Sequence, residues 1–157
     1  MRDIRNIVIH CTAGSQRQTV ADIVRYHTGP KSQGYLGWSV AGYHYIVTPD
    51  GKVVAVVPED QPSNGVRGHN RDSIHIAYIG GVDTSRPGLP AVDNRTAAQK
   101  RALLALLKEL RQRYPKARIT GHRDIASTDS NHNGIIDQWE RVKECPSFDA
   151  EKEYKDI

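Results

Sequence analysis

Two cysteines among 157 residues are too few to staple a fold, which removes the disulfide-framework class of small secreted domains. No apolar stretch is long enough to cross a bilayer, so membrane insertion is not expected. The first residues, MRDIRNIVI, hold neither the apolar segment nor the small-residue cleavage site of a signal peptide. The chain therefore reads as made in the cytoplasm without a visible leader, or as one whose leader has been removed. No repeat, linker or second domain divides the sequence, and its length fits one domain with a real core. The charge surplus is small, +4. It suits an anionic polymer, but many proteins with no such partner share it. No nucleic-acid partner is expected, and the chain is expected to be a monomer.

What is present alternates strands with helices. Arg5 to Cys11 reads as a buried strand on the β-branched run Ile7, Val8, Ile9. Thr19 is placed to cap a helix over 20–27, with Asp22 closing an imperfect capping box, and Gly29-Pro30 ends it. Thr48-Pro-Asp-Gly51 is a turn signal, so 43–47 and 52–57 read as a hairpin. Ser73 to Ile79 reads as another buried strand. Leu103, Leu106, Leu107 and Leu110 fall on one face of a long helix starting at Asn94 or Thr96 and running to Tyr114. A short strand over 117–120 leads to His122, and Ser147 is placed to cap a last short helix. The class is α/β: a single domain, residues 1–157, with a central mixed β-sheet flanked by α-helices.

Three residues stand where a metal could be held. His10 ends the first strand, His122 follows the last, and Cys145 lies beyond an acidic loop. Strand ends are where α/β sheets commonly place ligand sites. Two imidazoles and a thiolate would leave one position of a tetrahedral zinc open, as hydrolysis requires. Spacing alone makes this a weak signal. In an extended segment Lys143 faces the same side as Cys145, while Cys11 faces away from His10 and should not reach Cys145. Cys11 reads as a small core residue. Tyr43 and Tyr45 alternate with His44, so His44 points to the other face and reads as structural.

Between His122 and Cys145, residues 129–140 fit D-x-[DN]-x-[DN]-G-x₅-E. Asp129, Asn131, Asn133 and Glu140 would offer side-chain oxygens to a structural calcium ion (Ca2+), Ile135 its carbonyl, and Asp137 a direct or water-mediated bond. Gly134 would permit the sharp turn. No amphipathic helix precedes the loop and no second loop pairs with it. The bland alternative is a polar Asn-Gly turn.

IVIHCTA near the start, GWSVAGYHYIVTPDG in the middle, and GHRD followed by KECPSFD at the end together resemble the zinc amidases of the N-acetylmuramoyl-L-alanine amidase family. The variety resembled is the phage lysozyme-type amidase, related to peptidoglycan recognition proteins. The resemblance runs from about Ile7 to Asp149. It implies a zinc ion (Zn2+) on His10, His122 and Cys145, with Tyr43 and Lys143 as catalytic residues and Trp38 near the cleft. It implies peptidoglycan or muropeptides as partners and hydrolysis of the amide between the muramoyl lactyl group and L-alanine. Such an enzyme would act on the cell wall or on cytosolic muropeptides. The acidic loop is not part of the short phage pattern. The family segment matching GVRGHNRDSI often carries a His where Gly65 stands, which leaves His69 and Asn70 as the substrate-contact candidates there. A non-catalytic peptidoglycan-binding module of the same fold is the alternative. Retention of Cys145, Tyr43 and Lys143 disfavours it.

Overall fold

The computed structural model describes all residues, 1–157. Its frame is a five-stranded sheet in the order β3-β2-β4-β1-β5. The strands are β1 (Asn6–Cys11), β2 (Tyr45–Val47), β3 (Val53–Ala55), β4 (Ser73–Tyr78) and β5 (Arg118–Gly121). Central β1 pairs in parallel with both β4 and β5, β2 runs parallel to β4, and β3 returns antiparallel along β2. The sheet is mixed, as the sequence predicts. The hairpin strands are shorter than the apolar runs that signalled them, because pairing is confined to Tyr45↔Ala55 through Val47↔Val53.

The helices begin where their caps dictate. In α1 (Val20–Thr28) the Thr19 side chain accepts from Asp22 N while Asp22 reaches back to the Thr19 amide, a complete capping box. In α2 (Ala97–Arg113) Thr96 and Gln99 do the same. Two short helices complete the set, α3 (His122–Ile125) and α4 (Ala150–Glu153). Asp149, not Ser147, caps α4. The Ser147 hydroxyl donates instead to the carbonyl of Gly81 at 2.7 Å.

The two faces of the sheet have opposite chemistry, set by strand alternation. One face carries Ile7, Ile9, Cys11, Ile74, Ile76, Tyr78 and Ile119 against Leu103, Leu106, Leu107 and Leu110 of α2, with Phe148 and Tyr154 at one end. Each such buried aliphatic side chain contributes about 1.5–3 kcal/mol by leaving water. The other face carries His10 on β1, His75 on β4 and His44 immediately before β2, all essentially without exposure. On that face, near β2, α1 seats Ile23 on Ile46 and Ile79. The apolar face and α2 make the rigid backing, and the histidine face holds the site.

Candidate functional site

β1 and β5 are parallel neighbours, so their C-terminal ends, and the residues just beyond them, lie at the same edge of the sheet. His10 is the penultimate residue of β1, and His122 opens α3 directly after β5. Their Nδ1 atoms lie 3.1 Å apart. The segment after the acidic loop brings Cys145 Sγ to 3.9 Å from His10 Nδ1. One ligand atom from each residue falls within 4.8 Å of the other two. In a tetrahedral zinc complex, two nitrogens sit about 3.3 Å apart and nitrogen and sulfur about 3.6 Å. The observed spacing and the borderline-soft donor set fit such an ion.

Several bonds fix the Cys145 segment. The Cys11 amide donates to Cys145 Sγ at 3.2 Å, and the Arg123 amide donates to the Cys145 carbonyl at 2.7 Å. The Tyr78 hydroxyl donates to the Pro146 carbonyl at 2.6 Å. Cys11 thus does reach Cys145, contrary to the reading from alternation. Its side chain joins the apolar cluster on which Cys145 also packs, and its backbone amide meets the Cys145 sulfur directly. Gly81 makes room for the Cys11 side chain: a Cβ there would stand 2.4 Å from it, and the φ of Gly81 is +94°.

Burial sets the resting charge state. It drives the pKa of His10 well below the usual imidazole range, with His75, His122 and Lys143 adding to the effect. Burial, then the charge of Lys143, lowers His122 to about 4. Burial pushes the Cys145 thiol well up. The set is therefore neutral on its own, two uncharged imidazoles and a thiol. A bound cation supplies the charge that would draw out the thiolate.

Tyr43 stands beside the cluster, its ring 5.1 Å from that of His10 and 5.3 Å from that of His27. Desolvation holds it as a neutral phenol far into the alkaline range. Trp38 is not a core residue. It is 36% exposed and stacks on His27 at 5.0 Å, at the rim of a cleft of about 630 Å³ lined also by Gly65, His69, Asn70, His122 and Lys143. A second cleft, about 500 Å³, runs past Tyr43, His122, Lys143 and Cys145 to the 88–91 segment. The two meet at His122 and Lys143, where exposed Lys143 makes no ion pair or hydrogen bond of its own. Asn70 braces the 64–70 loop rather than presenting its amide: its Oδ1 accepts from the Val66 amide at 2.8 Å. His69 lines the cleft wall.

His44 has the structural role expected of it. Its Nδ1 accepts from the His75 amide at 2.9 Å, and Nε2 lies 2.8 Å from the Gln61 carbonyl. Tyr45 faces the other way and, with Tyr114 and Arg113, holds Glu59. The residue the sequence reading missed is His75. Its ring lies against His10, with Nδ1 3.0 Å from His10 Nε2. The available signal was a lone imidazole inside the otherwise apolar strand SIHIAY.

The acidic loop is ordered by its own polar groups. Asp129 accepts from the amides of Asn133 and Gly134, Asn131 and Asn133 side chains accept from Asn133 and Ile135 amides, and both side-chain amides donate to Asp137. Glu140 is buried, and its carboxylate accepts from the amides of Ser130, Asn131 and Asp137. Asp129, Asp137 and Glu140 do not form a second converging ligand group.

The comparisons with known proteins agree with this geometry. The family model described as N-acetylmuramoyl-L-alanine amidase matches residues 1–146. The endolysin of Enterobacteria phage K11 is 35% identical over 146 residues, covering 92% of this chain and 81% of the relative. The solved endolysin of the Thermus scotoductus bacteriophage Ph2119 superposes with a TM-score of 0.64 at 29% identity, over 93% of this chain and 79% of that one. The ectodomain complex of peptidoglycan recognition proteins LCa and LCx, solved with tracheal cytotoxin, shares the fold at a TM-score of 0.66 and 24% identity, over 99% and 83% of the two chains. With the family model spanning residues 1–146 and a relative 35% identical over nearly the whole chain, the chain belongs to the N-acetylmuramoyl-L-alanine amidase family.

Proposed function

We propose that this amidase hydrolyses the amide between the N-acetylmuramoyl lactyl group and L-alanine of peptidoglycan, using one zinc ion on His10, His122 and Cys145. The observation that carries the reading is the convergence of those three ligand atoms at the junction of two clefts, beside Tyr43 and Lys143. Held by those residues, a zinc ion would supply Lewis-acid chemistry for a carbonyl and for an attacking water.

The remaining work belongs to side chains of this chain. Tyr43, kept protonated by burial, acts as a hydrogen-bond donor to the oxyanion that develops on the carbonyl. Lys143 brings a positive charge to the same place. Trp38 offers an aromatic surface at the rim, and His69 a polar edge on the wall of the same cleft. The two clefts give the sugar and stem-peptide arms of the substrate separate directions to leave the scissile bond. A donor role for Tyr43 leaves the proton from the attacking water to a second water or to the solvent-open side.

The test incubates the protein with purified peptidoglycan and assays new L-alanine amino termini, with and without a chelator. Release that the chelator abolishes and zinc restores is the expected result. Binding to peptidoglycan with no new termini would instead establish the non-catalytic module. For the loop over 129–140, the sequence pattern supports a structural calcium ion. Its carboxylates already have amide partners, so calcium is a separate proposal with its own test.

A further inference from the structure

Every cation-competent imidazole in the site needs its proton on the nitrogen that faces away from the metal. For His10 the metal-facing nitrogen is Nδ1, the atom that meets His122 and Cys145. Neutral His10 must then carry its proton on Nε2. The only group within reach of that atom is Nδ1 of His75, at 3.0 Å. His75 is 0% exposed and sits on the same sheet face as His10, one strand over, in the register that pairs Val8 with His75 and His10 with Ala77. Its backbone amide is tied to His44 Nδ1 at 2.9 Å.

We infer that His75 is a positioning residue: it accepts the Nε2 proton of His10, fixes the His10 tautomer and ring orientation, and so presents the Nδ1 lone pair to the metal.

Two further observations show that an imidazole is seated here at a cost. Accepting at Nδ1 forces the proton of His75 onto its own Nε2, and that atom is buried with no partner. A buried unpaired donor costs about 1–3 kcal/mol, so the imidazole is not at this point for stability; an isoleucine like its neighbours Ile74 and Ile76 would avoid the penalty. Second, the ring lies directly under Gly65. A Cβ on Gly65 would stand 2.3 Å from His75 Cγ and Nδ1, while the φ of Gly65 is not in the left-handed region. Glycine is therefore required there by the His75 ring and not by the backbone. The chain has cleared space above the strand to seat this imidazole.

The inference rests on the zinc reading for its consequence, but part of its test does not. In the zinc-free protein, long-range ¹H–¹⁵N spectra of ¹⁵N-histidine report which ring nitrogen of His10 is protonated. Wild type should show His10 protonated on Nε2. His75→Leu should lose that fixed tautomer, and His75→Asn, whose Oδ1 reaches the place of Nδ1, should restore it. Zinc affinity by chelator competition should fall about 10- to 100-fold in His75→Leu, recover most of the way in His75→Asn, and fall in Gly65→Ala. Melting curves identify any variant that is merely unfolded; the wild-type spectrum decides the tautomer without a variant. A wild-type His10 protonated on Nδ1, or His75→Leu binding zinc within threefold of wild type, would overturn the assignment. Wild type that binds no zinc but keeps the Nε2 tautomer, with its loss in His75→Leu, would leave the positioning role standing and remove the zinc reading alone.

Discussion

The histidine face of the sheet and the acidic loop over 129–140 both gather metal-competent side chains, and they are built in opposite ways. On the sheet, the donors come from three separate stretches of sequence and converge, His10 and His122 buried and Cys145 partly exposed. Their resting state is neutral, and burial makes it so. In the loop, the donors come from twelve consecutive residues of one pattern, and their oxygens are satisfied by the loop's own amides. The first arrangement turns one donor atom from each of three residues toward a common point, with a single main-chain amide, that of Cys11, bonded to the sulfur. The second is a folded turn before any ion arrives. A sequence motif for metal binding and a structure prepared for metal are different things.

The sharpest way to separate the two regions is to remove a donor from each. Cys145→Ala should lose stoichiometric zinc and reduce release of L-alanine termini to background, the largest effect expected of any single change. Glu140→Gln should leave zinc content unchanged. Metal analysis and the peptidoglycan assay on both proteins check this; zinc retained in full by Cys145→Ala would remove Cys145 as a ligand.

Next in size are the groups beside the cluster. Tyr43→Phe and Lys143→Ala should each keep the zinc and cost about two to three orders of magnitude in turnover, the usual loss for one oxyanion partner. Steady-state kinetics with parallel metal analysis makes the measurement. Near-normal rates in both would sink the assigned roles.

Acid should undo the sheet face before it unfolds the rest. His44 is buried behind the site, and burial lowers its pKa to about 4 from an unfolded value near 6.5. A lowered histidine pKa means that the unfolded chain binds the proton first. The contribution of neutral His44 is therefore complete above about pH 6.5 and is lost as pH falls through about 4, up to about 3 kcal/mol across that window. Denaturant melts at pH 7, 5.5 and 4 should show it, and His44→Gln should flatten the slope.

Much of this could be read before any coordinates. The caps at Thr19 and Thr96, the leucine face of α2 and the β-branched run in β1 are local signals, and each element lies where its signal put it. The convergence of His10, His122 and Cys145 was expected from the resemblance carried by the motifs around them, since their spacing alone is a weak signal. What stayed hidden depends on neighbours in space. Alternation tells that His75 and Ala77 share a face, but only the parallel β1–β4 register puts that face beside His10. Nothing in the spacing shows that Gly65 lies over the ring, or that Cys11 meets Cys145 through its amide. The short helix α3 carries no periodic signal at all, since four residues cannot complete two turns.

The smallest effect belongs to the loop, and it decides whether its pattern does anything beyond turning the chain. Asp129, Asp137 and Glu140 place three carboxylates within twelve residues, and a calcium ion would relieve their mutual repulsion. Glu140 stands three residues before Lys143 and five before Cys145, so a firmer loop steadies both. Calcium should raise the melting temperature and the hydrolysis rate while zinc content stays constant. The stabilisation should follow mass action, about 1.4 kcal/mol at tenfold excess over the dissociation constant. The rate gain should be smaller than the loss in Tyr43→Phe, because the main-chain bonds from Cys11 and Arg123 already hold Cys145. Glu140→Gln should blunt the response, since it removes a charge and one end of a bidentate grip. The measurement is melting temperature and rate across a calcium titration with zinc saturating. A flat response in wild type would mean that the amide bonds seen in the loop are its whole function, a polar turn that carries the chain from α3 to Cys145.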